Sequence, residues 1–321
     1  IEPLDDYIKN WSDAGTLVDN VKITANLVGG KWYLIPYGFY MKMIYYRADW
    51  LKEAGIAVPT TASELVAAAK ALTNPARGRY GWTLRGVSGG WGMISDITRA
   101  RLGSAGIDTQ DPNYTRDGKS IYGTPAALEA FNTMADLYKN ASPSDSISWG
   151  FQDQCQAFTS GVTAFLYQDP EVVAICQQNM QDGTWATIPL PVDDVSDQFP
   201  IVTGYAGWGV TSHSKYKQEA ADFVMFLSNP ANNAKFCKQY SVIPIHKTAA
   251  DIEPFFKSGP FAPYVTMLAH PESYFFVVGK ARPQDSEIDK ANEVEYSQVL
   301  SGNANLQTVL SSWDAKFNAI H

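Results

Sequence analysis

At 321 residues the chain exceeds what one small core holds, and it points to two domains. With 45% hydrophobic and 18% charged residues it has the composition of a soluble globular protein. Its 25 Lys and Arg against 33 Asp and Glu leave a net charge of -8, which excludes general nucleic-acid binding, because that needs a basic face.

No apolar run reaches the length of a membrane helix. Ile1 leads straight into EPLDDYIKNW, so no signal peptide is visible, as in a mature secreted chain. Cys155, Cys176 and Cys237 match no CxxC pattern, which argues against a structural metal. One disulfide, Cys155–Cys176, or three buried thiols both fit the spacing.

Taken in chain order, the first dense stretch is Gly29–Gly55, with eight aromatics in 27 residues against a chain average of 13%. Within it YLIPYG and MIYYR read as strands around a break at Pro36–Gly38. ADWLKEAG is a short helix stopped by Gly55. Thr61 with Glu64 forms a capping box, and Leu65, Ala68, Ala69 and Leu72 then share one apolar face. RYGWTLRG reads as a strand and GMISDITRARLGSAG as a helix. Residues 107–123 read as a polar surface loop. Pro125 opens the next helix. FQDQCQAFTSG is a helix, VTAFLYQ a buried strand, and DPEVVAICQQNM a helix opened by Asp169 and Pro170. WATIPLPV and the glycine-interrupted TGYAGWGVT are strands. SKYKQEAADFVMFLSNP is a helix with Ala220, Val224 and Leu227 inward, followed by helix PANNAKFCKQY, extended SVIPIH and helices to the C-terminus. Strands alternating with helices indicate α/β layering. No Pro/Gly-rich linker separates two halves, so two domains require the chain to cross between them more than once.

Catalytic equipment is sparse. GVSGG at Gly86–Gly90 fits the G-x-S-x-G elbow, lies between a strand and a helix, and offers Ser88 as a hydrolase nucleophile. His213, His246 and His270 are the candidate partners, yet none sits in a triad context. The other reading is a turn whose glycines let a ligand approach the backbone. The histidines lack zinc spacing, and no Walker or GxGxxG sequence exists, so neither a metal nor a cofactor is expected. Asp169 and Glu171 are paired acids, but a helix start attracts acids through its macrodipole. Aromatics beside glycines at strand ends remain: residues 38–40, 89–92, 166–171 and 204–209. Flat rings suit the C–H face of a sugar, and adjacent polar groups suit its hydroxyls. Trp32, Tyr33, Tyr45, Tyr46 and Trp50 are assigned to the core.

Residues 29–73, GGKWYLIPYGFYMKMIYYRADWLKEAGIAVPTTASELVAAAKALT, resemble the signature of extracellular solute-binding proteins of the carbohydrate type, the group that includes maltose-binding protein. The usual T-W is Thr61–Ala62 here. QAFTSGVTAFLYQDPE and GYAGWGVTSHSKYKQEAADFVMFLSNP resemble two further blocks, and the likeness covers almost the whole chain. In that family the IEPLDDYI block lies well inside the first lobe, so the resemblance implies that the lobe's opening strand–helix units lie outside this sequence.

The resemblance implies an α/β fold of two lobes, joined by crossover hinge segments, with a ligand cleft between them. Lobe one takes residues 1–38 and 203–245, and lobe two takes 39–202 and 246–321. It implies a monomer that performs no chemistry. Such a protein closes on a small soluble carbohydrate, a mono- or oligosaccharide, and delivers it to the permease subunits of an ABC transporter. The location implied is periplasmic or extracellular, with a lipid anchor as one option. By position the ligand residues are Tyr37, Phe39 and Tyr40 at the first crossover and Trp91 as an aromatic platform. Gln168, Asp169 and Glu171 fall in the ligand loop, Tyr205, Gly207 and Trp208 in the glycine-rich strand, and Arg282 before a proline. A polyol, sugar phosphate or polyamine in the same fold is the alternative, and a serine hydrolase using Ser88 is the alternative of another class.

Overall fold

The computed structural model describes residues 1–19, 21, 29–191, 193, 199–269, 274–278 and 282–321. Contacts divide the chain into two units: Ile1–Met41, Asp169–Ala174 and Thr203–Ala269 form unit one, and Lys42–Gln168, Ile175–Val202 and His270–His321 form unit two. The expected boundary after residue 245 moves. The segment that follows is stitched into unit one, since Leu17 bridges His246 and the Lys247 amide donates to the Thr16 carbonyl at 2.9 Å.

Among the described residues the strands are β1 (Ile35–Tyr40), β2 (Met43–Arg47), β3 (Tyr80–Trp82), β4 (Thr163–Gln168), β5 (Trp185–Ile188), β6 (Phe199–Trp208) and β7 (Tyr274–Val278). Unit two carries a sheet in the order β3-β4-β2-β5. β2 runs antiparallel to both neighbours, with Tyr45 opposite Leu166 and Thr187, while β3 and β4 are parallel. MIYYR is buried along most of its length because β2 is flanked on both edges. Tyr45, Tyr46 and Trp50 are buried as expected, and the Arg47 and Arg79 guanidinium groups lie 5.1 and 4.5 Å from the Trp50 ring.

The local signals hold. Gly55 caps its helix in the left-handed region, and both bonds of the Thr61–Glu64 capping box are present. Helix Gly92–Gly106 packs on helix Pro125–Ala141, and Trp313 from helix Leu306–Asn318 closes the core beside them. Its ring lies 5.5 Å from Trp91, 5.4 Å from Tyr122 and 5.7 Å from Phe131.

Three expectations about packing change. Residues 107–123 do not lie on the surface as a polar loop, because Ile107, Tyr114, Ile121 and Tyr122 are buried. Tyr114 donates its hydroxyl to the Phe317 carbonyl at 2.6 Å, so a few apolar anchors outweigh the loop's polar composition. Trp32 and Tyr33 are half-buried rather than core. In helix Lys217–Leu227 it is Ala221 and Val224 that are buried, while Phe223 and Phe226 stack on its outer side.

In unit one, β1 pairs antiparallel with β6, from Ile35 opposite Trp208 to Tyr40 opposite Gly204. The register shifts between Pro36 and Gly38, so Tyr37 is the extra residue of a bulge. A Cβ at Gly38 would lie 2.6 Å from Val242 Cγ2, which is why glycine stands where the chain passes so close. His246 is buried, with Nε2 2.6 Å from the Ser228 carbonyl. A carbonyl only accepts, so Nε2 carries the proton and Nδ1 faces the Thr16 hydroxyl at 2.6 Å.

Burial lowers the His246 pKa, opposed by its bond to the Ser228 carbonyl. Below about pH 6.5 the unfolded chain therefore binds a proton there more readily than the folded unit. Stability is expected to fall as pH drops through that value. The His246→Asn variant should lose this part of the acid sensitivity, read as a smaller shift of the urea midpoint between about pH 7.5 and 5.5. Equal shifts in the two proteins would contradict it.

Cys155, Cys176 and Cys237 are buried thiols not joined in a disulfide, as in the second of the two cysteine readings, and burial pushes the Cys176 thiol well above its usual range.

Candidate functional site

Each unit carries a surface that joins aromatic rings to polar groups. In unit one, strand alternation puts Tyr40 and Trp208 on the same face, and the bulge brings Tyr37 to them. The Tyr37 ring lies 5.0 Å from Trp208 and 5.1 Å from Phe236, and its hydroxyl is 3.0 Å from that of Tyr40. Tyr240 stacks on Phe236 at 5.7 Å and is exposed at the edge. Asn233 Nδ2 donates to the Tyr37 carbonyl at 2.7 Å and fixes the bulge. Burial, then the Tyr37 hydroxyl, raises the Tyr40 pKa far above the ordinary phenol value, so it stays a neutral donor. The result is a neutral, half-buried aromatic surface with two hydroxyls.

Phe39 and Tyr205 face the opposite side of the ladder, opposite each other. Phe39 is buried there, so the expected ligand contact at Phe39 becomes a core contact. Tyr205 is half-buried, and burial raises its pKa. Gly207 serves close packing, since a Cβ would lie 2.5 Å from the Ile35 carbonyl oxygen. Asp169 and Glu171 are half-buried residues of unit one just before helix Val172–Asn179.

Unit two carries a narrow, partly open pocket. Its lining includes Lys42, Trp82, Arg85, Gln168 and Tyr296, with Gly89 and Gly90 at one side. Gln168 is thus the one expected ligand residue that this pocket contains. Its Nε2 donates to Gln154 Oε1 at 3.0 Å, and Gln154 Nε2 donates to the Thr83 carbonyl at 3.1 Å. Lys42 Nζ lies 3.2 Å from Asp96 Oδ2, which also accepts from the Tyr167 hydroxyl at 3.2 Å.

The GVSGG turn forms one wall and is backbone-tight. A Cβ at Gly86 would lie 1.9 Å from the Ile147 carbonyl oxygen, and one at Gly90 2.0 Å from that of Arg85. Ser88 itself has φ 58, and the amides of Ser88 and Gly89 both donate to the Glu293 carboxylate. No imidazole among the described residues bonds the Ser88 hydroxyl. His246 in unit one has both ring nitrogens engaged, His213 is exposed, and His270 lies outside the described residues. The geometry matches the ligand-approach turn better than a nucleophile elbow.

Two expected ligand residues are placed elsewhere. Trp91 is only 9% exposed, its ring held between Tyr122 and Trp313, so it builds the core. Arg282 forms an ion pair with Asp111, their side chains 6% and 7% exposed, and lies over the Tyr114 ring at 5.3 Å. It is a structural tie within unit two rather than an arm toward a ligand.

The sequence reading passed over Trp82, Arg85, Lys42, Gln154 and Tyr296. Arg85 had a usable signal, a cation at the end of a strand immediately before a glycine turn. Tyr296 had none, because it comes from the distant helix Asp285–Leu300. Among the described residues no group of three His, Cys, Asp or Glu could hold a metal ion, and no helix is long and apolar enough to cross a membrane.

The sequence pattern of the bacterial extracellular solute-binding protein family matches residues 1–263. A probable ABC transporter-binding protein of Deinococcus radiodurans is 26% identical over 250 residues, 74% of this chain, and the chain spans only 57% of that relative's length. A solute-binding protein from Thermotoga lettingae bound to alpha-D-tagatose superposes with a TM-score of 0.83 at 20% identity, covering 100% of this chain and 80% of that one. An ABC substrate-binding protein from Listeria monocytogenes in complex with cycloalternan gives 0.81 at 19% identity, with the same coverages. At these identities the likeness establishes the fold, which is the two-lobe α/β fold of periplasmic binding proteins.

Proposed function

The chain belongs to the bacterial extracellular solute-binding proteins, and we propose that within that family it binds a small soluble carbohydrate or polyol. The two units close on the ligand about their crossover segments, and the closed form is delivered to the permease subunits of an ABC-type importer. It acts outside the cytoplasm, as a monomeric receptor without chemistry of its own. A lipid anchor is compatible with that role.

The observation that carries this reading is that each unit, taken by itself, carries a surface of sugar-matching chemistry. Unit one offers neutral aromatic faces at Tyr37, Tyr40 and Trp208, and unit two offers a small pocket lined with hydrogen-bonding groups. A sugar has the matching chemistry, C–H faces for the rings and hydroxyls for the polar groups. Asp169 and Glu171 precede the helix that follows Gln168 and remain proposed ligand contacts. The tagatose and cycloalternan held by the two structural neighbours support the same ligand class. A polyamine is disfavoured, because the described pocket lining brings Lys42 and Arg85 and no carboxylate.

The test is a titration of intrinsic tryptophan fluorescence, with nine tryptophans as reporters, against monosaccharides, oligosaccharides and alditols. At least one should change the emission saturably. At a hundredfold excess over Kd the same compound should add about 2.7 kcal/mol to the unfolding free energy. A panel that gives neither effect would contradict the proposal.

A further inference from the structure

The unit-two pocket is unbalanced in its hydrogen bonding. Trp82 Nε1, Arg85 Nε and the Tyr296 hydroxyl are shut off from solvent and meet no acceptor among the described residues. Trp82 and Tyr296 are 1% and 0% exposed, so neither can turn outward to find water. All three line the same pocket. Indole and guanidinium nitrogens can only donate, and an enclosed donor without an acceptor is costly.

The charges lean the same way. Arg85 forms no ion pair among the described residues. Two acids bonded to residues of the pocket lining are already committed. Asp96 is shared by Lys42 and Arg99, with Arg99 Nη1 3.2 Å from Oδ1, and Glu293 is held by the amides of Ser88 and Gly89. Gln168 Nε2 donates to Gln154 Oε1 and Gln154 Nε2 to the Thr83 carbonyl, so the Gln154 oxygen is already occupied. The pocket thus presents surplus donors and a surplus positive charge.

A neutral sugar hydroxyl can accept from these donors but brings no charge to match the guanidinium. A carboxylate or phosphate oxygen only accepts, and its charge matches the guanidinium. We propose that this pocket is an anion subsite, and that the ligand is an acidic sugar whose charged oxygens are held by Arg85, Trp82 and Tyr296. The inference rests on the carbohydrate-binding reading and narrows it. Carboxylate and phosphate share this chemistry.

The test measures Kd by calorimetry on the full chain for three sets of compounds. They are D-glucuronate and D-galacturonate, the 6-phosphates of glucose and galactose, and the neutral parents. At least one acid should bind about tenfold or more tightly than its parent. If only the uronates bind tightly the group is a carboxylate; if only the phosphates do, it is a phosphate. Arg85→Gln should cut the acid's affinity by about tenfold more than the parent's, and Arg85→Lys should retain part of the preference. Circular dichroism melts confirm that each variant is folded. Parents that bind as tightly as the acids, or an Arg85→Gln change that weakens both equally, would overturn the inference and leave the carbohydrate reading standing. No binding by any compound to the folded chain would overturn both.

Discussion

Arg282→Met is expected to lower the unfolding free energy of unit two by about 3–5 kcal/mol, because it leaves the buried Asp111 carboxylate without its cation. Both side chains are nearly closed to solvent, at 6% and 7% exposure. A charge in such a place cannot recruit water cheaply when its partner is removed. The Arg282 amide also donates to Asp285 Oδ2 at 2.7 Å, which fixes the approach to helix Asp285–Leu300. Replacing both partners, in Arg282→Met with Asp111→Leu, should restore most of the loss, since an apolar pair of similar volume avoids burying charge. Urea unfolding followed by tryptophan fluorescence measures all three proteins. A single variant within about 1 kcal/mol of the parent would show that the pair is exposed in solution. Ligand affinity should change little where the variant is folded, which separates this structural role from the ligand contact that the sequence suggested.

Trp208→Ala is expected to weaken carbohydrate binding by about tenfold to a hundredfold, about 1.4–2.8 kcal/mol. The ring shares a face with Tyr37 and Tyr40, and its loss removes the broadest apolar surface that unit one offers a sugar. Trp208 also packs on Phe236 at 5.8 Å, so stability falls too. Two controls separate the effects. Trp208→Phe keeps a ring and should retain most of the affinity. Phe236→Leu disturbs the same cluster from the helix side and should cost stability with little change in Kd. If Phe236→Leu weakens binding as much as Trp208→Ala does, the cluster acts only as a support.

The local signals in the sequence proved the most readable. The Thr61–Glu64 capping box, the Gly55 stop and the Pro125 start depend on residues within a few positions of one another. β2 and β4 were readable because apolar residues crowd both faces of a flanked strand. The site was less legible, since its contents depend on distant partners. Trp91 beside glycines looks like a ligand platform until Trp313, far along the chain, covers it. Arg282 before a proline looks free until Asp111 emerges from a stretch that reads as a surface loop. The bulge at Tyr37 brings that ring to Trp208; Pro36 and Gly38 mark a break in YLIPYGFY, but not which ring it would bring to which face. The segment after residue 245 falls in unit one by contacts between residues distant in sequence, among them the Leu17–His246 bridge.

The most direct test of the account is a calorimetric titration of the full chain with neutral sugars, alditols, uronates and sugar phosphates. One ligand should bind saturably per chain, with the tightest compound an acidic sugar. A folded chain that yields no saturable heat with any of them would contradict it.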